Sequence, residues 1–465
     1  MKRRALSWQI SLLLAATATG LMATATPSPA QEAPDTQNPQ DAPATPPPKA
    51  KAKTLKAMVV TAERREQNIQ AVPLTVSAMD QAELNRRGIT SVADLNAVAP
   101  SLVVVPETAG YTTGAQFSLR GEFVGNPAMY WDSTTGVYVN GVYFGKSKVD
   151  VFSLPDLERI EVLNGPQGTL YGRNTIGGAV NIVTQKPSGV FTGTAQAGYG
   201  RYGDKTVMAR TDLPAWGKLN ISVGGRYEKR DGWVKTTPGS SVSSLGQLDN
   251  KDAYLDMLLN ATDNLSIEYR YDYTSAHNTP NFSQVVHSDI QRMFRIPGII
   301  VNQDRQTTAS VDAPVFEDLR TDANALHVDW KLGVGTLKYI GAHSETHYNN
   351  GLDLDGSPIP FAQSEEFNRY RETSHELQYV GSAGNWNWVT GLYYFKDAGF
   401  NNNPQRYFFG AATFQPNEYW YGSRSRAAYG QVDYKIGERW TITAGLRRTL
   451  DEKRVSRVMQ SGAYV

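Results

Sequence analysis

Asp156 to Pro187 reads DLERIEVLNGPQGTLYGRNTIGGAVNIVTQKP, and the placement of its small residues decides the fold. A charged turn leads into an apolar strand, Ile160 to Leu163. A glycine-punctuated loop runs from Gly165 to Gly178, and a second strand follows from Ala179 to Thr184. Glycine at so many fixed places marks backbone folded tightly against something larger, where side chains would clash. A phosphate-binding loop is a poor match. The G-x-x-x-x-G-K-[ST] order is missing, and no helix follows to present its N-terminus to an anion.

Downstream, from Val190 to the end, the pattern changes to long alternating strands. Leu219, Ile221, Val223, Gly225 and Tyr227 share one face, while Lys218, Asn220, Ser222, Arg226 and Glu228 share the other. Ile267, Tyr269, Tyr271 and Tyr273 oppose Ser266, Glu268, Arg270 and Asp272 in the same way, as do Trp440, Ile442, Ala444 and Leu446 against Thr441, Thr443 and Arg447. A soluble sandwich and a membrane barrel both show this period. Connection lengths separate them. Turns near Pro214–Gly217, Thr262–Asn264, Gly333–Gly335, Gly381–Asn385 and Gly437–Glu438 are short, and the connections between them are long. Loops sorted by parity mean one tight end and one elaborated end, which is the habit of transmembrane barrels.

Upstream, residues 63–187 read as a compact α+β domain. Ala71–Ser77 is expected to open it as a strand. Asp80 with Glu83 caps a short helix stopped by Gly88, and Ser91 with Asp94 starts a second. Leu102–Val105, Gln116–Arg120 and Gly136–Val139 are strand-like, and Asn140-Gly141 is a hairpin turn. Residues 31–54, rich in Pro and Ala, cannot bury enough surface to offset chain entropy and read as a disordered tether. Residues 1–30 carry Lys2, Arg3 and Arg4 before a short apolar core, the pattern of a cleaved export signal. Within residues 55–62, the β-prone island Met58-Val59-Val60-Thr61-Ala62 is either an ordinary first strand or a peptide offered to the sheet edge of a partner.

Composition narrows the function classes. Lysine plus arginine number 46 and aspartate plus glutamate 45, so no bulk field favours nucleic acid. With no cysteine, disulfides and thiolate sites are absent. Past the N-terminus no run reaches the roughly 18 apolar residues of a spanning helix. The negative mean hydropathy of −0.42 is compatible with a barrel, whose strands are polar at alternate residues.

The Asp156–Pro187 run resembles the closing segment of the plug domain in TonB-dependent outer-membrane receptors. AVPLTVSAM from Ala71, the pair Arg120-Gly121, and VYVNGVY with Asn140-Gly141 resemble plug motifs of that family, as do Gly165, Pro166, Gly168, Tyr171, Gly172, Arg173, Gly177 and Gly178. The similarity covers about a quarter of the chain, in the family's order. It implies an α+β plug domain followed by an antiparallel transmembrane β-barrel over residues 188–465. Eleven strands are legible there, half of the about twenty-two of such receptors. A half-open sheet would leave strand edges unpaired in lipid, so a C-terminally truncated member is expected. Asn164 stands where the family carries arginine before Gly-Pro, which removes one cation expected at the contact between plug and wall.

The resemblance further implies active import of a scarce, bulky substrate, such as a siderophore, vitamin, haem or oligosaccharide, with no catalytic residue and no cofactor. Met58 to Ala62 become the TonB box. The implied partners are the TonB C-terminal domain with its inner-membrane motor, outer-membrane lipid, the barrel-assembly machinery, and a small-molecule or metal-chelate substrate. Nucleic acid is not among them. A non-transporting remnant, a signalling receptor and a passive barrel are the rival readings. Tyr130, Trp131 and Asp132, in the loop between Gly121 and Gly136, are candidate substrate contacts or else packing against the wall. Tyr407, Phe408, Phe409, Phe414, Tyr419 and Trp420 form an aromatic cluster suited to a substrate mouth. His343, Glu345 and His347 share one side of a strand and are weak metal candidates; Asp353, Asp355 and Gly356 hint at a calcium loop without its remaining ligand positions.

Overall fold

The computed structural model describes residues 8–11, 58–89, 92–106, 110–124, 128–146, 156–286, 297–298 and 301–462. The expected export signal and tether lie outside these residues except for Trp8–Ser11, whose backbone pairs antiparallel with residues 196–199.

The first folded unit is built on one small mixed sheet. β1 (Val59–Val60) pairs with β2 (Gln67–Asn68) at its underside. β3 (Val76–Asp80) starts later than the expected Ala71–Ser77 strand. The Asn68 side chain caps a 3-10 turn at Ile69–Ala71 by accepting the Gln70 N–H, and Pro73 has no N–H to give a ladder. The helix α1 (Gln81–Arg87) has the expected ends: Asp80 accepts the Glu83 N–H, and Gly88 stops the helix at φ 66°. The second expected helix is a 3-10 turn, Val92–Ala97. β4 (Leu102–Pro106) pairs with β5 (Ala115–Leu119).

β6 (Thr135–Val139), β7 (Val142–Phe144), β8 (Leu157–Asn164) and β9 (Gly178–Thr184) complete the unit. The order is β3-β8-β9-β6-β7, with β9 parallel to β6. Asn140 and Gly141 join β6 to β7 with φ of 50° and 84°, a two-residue turn that needs both residues left-handed. Leu84, Leu95, Leu102, Phe117, Leu119, Ile160, Val162, Val180 and Ile182 fill the core between sheet and helices. Gly178 shows why the closing run is glycine-rich. Its φ is 145°, and a Cβ there would lie 2.1 Å from the Leu163 carbonyl oxygen.

From Thr192 the chain builds a wall. Eleven long strands follow in sequence order: β10 (Thr192–Tyr199), β11 (Lys205–Asp212), β12 (Leu219–Arg230), β13 (Leu248–Thr262), β14 (Leu265–Asn278), β15 (Phe316–Leu332), β16 (Gly335–Asp353), β17 (Ala362–Ala383), β18 (Trp386–Asn402), β19 (Ala412–Ile436) and β20 (Trp440–Gly462). Each pairs antiparallel with the next, and with Trp8–Ser11 and Gln405–Tyr407 they make one 13-stranded sheet. The tight turns fall at one end of the strands and the long connections at the other, as the loop lengths imply.

The faces settle what the wall is for. Along β12, Val223 and Tyr227 are exposed on the convex side while Ser222 and Arg226 are buried. Leu377, Leu392, Val432 and Leu446 are likewise exposed, and Glu268, Arg270, Glu372, Glu376 and Asp433 are buried. Water on the convex side would make this polarity backwards; hydrocarbon makes it correct. Trp216, Trp330, Trp386 and Trp440 stand exposed at the tight-turn end, where an aromatic girdle marks a membrane interface. Leu392, about midway along the membrane-facing part of β18, is 58% exposed and tests this directly. Leu392→Arg is expected to cost about 2–4 kcal/mol in folding into lipid vesicles, against a small effect for Leu392→Val. Denaturant titration in vesicles measures it; equal stability of the two variants would place that face against protein instead.

Candidate functional site

The plug sits against the concave face of the wall, and buried charges fix its position. The Arg270 guanidinium, on β14, is 1% exposed and lies 2.6 Å from Asp156, which is fully buried just before β8. It also pairs with Asp272 at 2.7 Å, hydrogen-bonds the Thr184 hydroxyl at 3.3 Å, and lies 4.5 Å from the Tyr254 ring centre. Glu317 on β15 accepts the N–H groups of Thr112 and Thr113 at 2.8 and 2.9 Å, both their hydroxyls, and the Tyr348 hydroxyl at 3.1 Å. Lys186 with Glu268 at 3.2 Å, and His327 Nε2 against the Asn140 carbonyl at 2.8 Å, add to the seat.

At the tight-turn end lies Met58 to Ala62. Val60 and Ala62 are buried, and Thr61 donates its N–H and hydroxyl to Glu161 at 2.9 and 3.1 Å. The Tyr171 hydroxyl donates to the Thr61 carbonyl at 3.2 Å. The next three residues tie this segment to the wall. Arg64 lies 3.7 Å from Glu376 and 4.4 Å from the Tyr171 ring centre, and donates to the Gly141 carbonyl at 3.2 Å. Burial works against its charge, but Glu376 and the surrounding tyrosines outweigh it and hold the guanidinium above its ordinary range. Arg65 pairs with Asp433 and with Glu63, whose other oxygen accepts from Gln431 at 3.0 Å.

At the long-loop end lies Tyr130-Trp131-Asp132. Tyr130 stacks on Tyr419 of β19 with ring centres 4.6 Å apart and planes 14° apart, and meets Tyr421 edge-on at 6.3 Å. Burial pushes the Tyr130 hydroxyl up to about 12. Trp131 is half exposed. Asp132 is held by Lys146 at 3.3 Å, Lys453 at 2.8 Å and Arg173 at 3.5 Å. Burial raises its carboxyl, yet those three cations outweigh that and keep it below the usual carboxylate range. Trp420 stands apart from Tyr130, packed on Phe400 at 5.3 Å. Phe408 and Phe409 gather on Phe361, and Tyr407 on Phe414, in a separate hairpin. The expected single aromatic cluster is therefore several.

The glycine loop joins these two ends. Gln167 N–H donates to Thr175, closing the loop, and Gly172 has φ 89°. Arg173 reaches Asp132 above while Tyr171 reaches Thr61 below. Arg120 and Gly121 form a turn with φ of 56° and 80°, Gly165 lies against the Arg120 guanidinium, and Gly177 against the Leu119 carbonyl. Asn164 turns inward. Its side chain accepts from the Ser101 hydroxyl and donates to the Thr75 carbonyl at 3.4 Å, so its contacts are inside the plug rather than with the wall.

The metal candidates do not converge as written. His343 and Glu345 are exposed on the convex face; His347 contacts Glu345 at 3.1 Å and His343 the Thr373 hydroxyl at 2.9 Å. Asp312, Asp353 and Asp355 do come together among the described residues. Their oxygens are largely engaged: Asp353 accepts the N–H groups of Gly356 and Asp312, and Asp355 those of Ser357 and Ala362. Arg270, Glu317, Glu376 and Lys146 were not singled out from the sequence. A charge on the inward face of a strand was visible; its partner on the plug was not.

Comparisons agree with this geometry. The family model for the TonB-dependent receptor plug domain matches residues 68–179. The chain is 33% identical to the pesticin receptor of Yersinia pestis over 142 residues, 30% of this chain and 20% of that protein. It is 28% identical to the vitamin B12 transporter BtuB of Photobacterium profundum over 36% of this chain and 28% of that one. Its fold is similar to the ferric yersiniabactin uptake receptor FyuA from Yersinia pestis (TM-score 0.69, 21% identity, 84% of this chain and 60% of that one). It is also similar to the ferric citrate transporter FecA in its unliganded form (TM-score 0.65, 14% identity, 88% and 61%). The matches therefore span a fifth to a little over a quarter of these curated relatives' length and about three fifths of these solved chains.

The Arg270–Asp156 pair yields a sharp expectation. Arg270→Met leaves Asp156 buried without its cation, an effect of about 3–5 kcal/mol. Amides of β8 and β9 should exchange with solvent roughly 100- to several-thousand-fold faster, and adding Asp156→Asn should restore much of the protection. Hydrogen exchange read by mass spectrometry measures it. Unchanged exchange in Arg270→Met would mean the pair does not hold the plug.

Proposed function

We propose, on the premise that the chain belongs to the TonB-dependent outer-membrane receptor family, that it serves energised import of a scarce, bulky substrate across the outer membrane of a Gram-negative bacterium. The observation that carries this reading is the plug seated on the polar concave face of a lipid-facing wall, with a box-like segment at its tight-turn end. The family is one of transport receptors rather than enzymes. Substrate is held at the long-loop end, against Tyr130 and its neighbours. Met58 to Ala62 are the segment handed to the TonB C-terminal domain by strand addition, in which main-chain hydrogen bonds supply affinity.

That segment cannot pair with a partner as it stands. Val59 and Val60 already pair with Asn68 and Gln67, and Thr61 is held by Glu161 and Tyr171. Once those contacts give way, pulling on it loads Arg64–Glu376 and Arg65–Asp433, because these lie next along the chain. The relatives named above are receptors for pesticin, vitamin B12, ferric yersiniabactin and ferric citrate, which supports import in general and leaves the substrate class open.

A cysteine at Val60 tests the reading, since no native cysteine competes. Val60→Cys in membranes is expected to crosslink to a cysteine-bearing TonB C-terminal domain, several-fold more when substrate-containing medium is supplied. Crosslinking to Arg86→Cys on the exposed side of α1 serves as background. Equal yields at the two positions would remove the box assignment.

A further inference from the structure

The convex face of the wall carries charge where the hydrocarbon ends. Trp386 marks the tight-turn interface, and Lys396 stands ten residues further along β18. At about 3.3 Å per residue and a strand tilt of about 40°, that climb is about 25 Å along the membrane normal, the height of the apolar band. Lys396 therefore lies at the opposite interface, on the long-loop side. An aromatic layer sits just below it: Tyr394 stacks on His375 with ring centres 6.2 Å apart, and His375 on Tyr339 at 6.1 Å.

Three further cations surround Lys396 on that face. Arg424 on β19 is directly opposite it in the strand register, and Arg426, two residues from Arg424, is opposite Tyr394. Arg371 on β17 is one diagonal step away, because Thr373 is the residue paired with Lys396. Arg371, Lys396 and Arg426 are exposed, whereas their inward-facing neighbours Tyr370, Glu372, Asp397, Ser423 and Ser425 are buried. Two carboxylates share the patch: Glu345 across from Arg371, and Glu452 across from Arg424. Glu345 is engaged by His347 at 3.1 Å. Among the described residues none of the four cations is in an ion pair, and the Arg424 Nε is buried with no hydrogen-bond partner. Like charges set directly opposite on one face of a sheet repel. Packing gives no reason to set Lys396 against Arg424, and an anion from outside the chain does.

We propose that Arg371, Lys396, Arg424 and Arg426 form a binding site for a membrane lipid whose headgroup carries two phosphates, in the leaflet on the long-loop side. Its acyl chains lie along Leu377 and Leu392 below, and its phosphates bridge the four cations above. Three of the four are arginines, whose planar guanidinium matches a phosphate with two parallel hydrogen bonds. Four cations face two carboxylates, a surplus that two phosphates answer and a single one leaves half met. Bound there, the lipid ties β17, β18 and β19 together from outside the wall. The site rests on the lipid-facing wall and not on the import reading.

The test uses the full chain in detergent micelles, titrated with two lipids of the same acyl pattern, diphosphoryl lipid A and monophosphoryl lipid A. Native mass spectrometry counts the bound lipid, and far-ultraviolet circular dichroism confirms that each variant is folded. The diphosphoryl lipid should bind about fivefold more tightly, an advantage that shrinks as salt is raised. Lys396→Gln and Arg424→Gln should each weaken it about fivefold and together about 25-fold, the factor expected of a basic group near an anionic lipid surface. Arg320→Gln removes a convex-face cation on β15 that Asp322 already holds at 2.9 Å, and should leave binding unchanged. Equal affinity for the two lipids, unaltered binding in the double variant, or an equal loss with Arg320→Gln would each overturn the proposal. None of these variants touches the Val60→Cys crosslink, so the lipid site and the import reading fail independently.

Discussion

Charge on the concave face of the wall has to be answered by the plug. A strand whose outward residues meet hydrocarbon must put its polar residues inward, and inward here means against protein rather than open water. An ionised group held there without a partner is strongly unfavourable. Arg270, Glu317, Glu376 and Asp433 therefore each reach a plug residue, the first two at separate places and the last two at the neighbouring Arg64 and Arg65. The plug is located by these pairings. Its own core, filled by the residues around Leu119 and Ile160, holds it together but does not say where it sits.

The pairings are not alike in kind. Arg270 grips the base of the closing strands, buried almost completely among three aspartates and a tyrosine ring. Glu317 grips Thr112 and Thr113 through neutral donors, so salt has little purchase on it. The pairs at Arg64 and Arg65 lie next to the segment that a partner would take. Between the two ends runs one short loop, in which Arg173 and Tyr171 are two residues apart and face opposite ends of the plug. That loop therefore contacts both Asp132 and Thr61.

Local chemistry accounts for the places where the chain departs from expectation. The opening strand is delayed to Val76 because Asn68 caps a turn and Pro73 cannot donate. The second helix tightens to a 3-10 turn of six residues, Val92–Ala97, which still delivers Leu95 to the core. Asn164 reads in the sequence as one cation fewer at the contact between plug and wall, and in the structure its amide is turned inward to Ser101 and Thr75. A side chain's direction at a strand end depends on what packs behind it, and that information is not local.

The sequence alone determined the order of elements and the medium that surrounds them. Period-two alternation, loops sorted by parity, and glycines at Gly177 and Gly178 are local or statistical properties, because they follow from strand geometry and from the absence of a Cβ. Met58 to Ala62 were legible as a candidate segment from their β-prone composition and position together with the family resemblance, and Tyr130 to Asp132 from the resemblance alone. Only the tertiary structure decided which charges meet. Arg270 and Asp156 are separated by 114 positions, Glu317 and Thr112 by 205, and Lys453 and Asp132 by 321. Every inward charge on the wall offers the same pattern to a reader of the sequence. Its partner is selected by how the plug is rotated within the wall, a global quantity set by the sum of all the contacts at once.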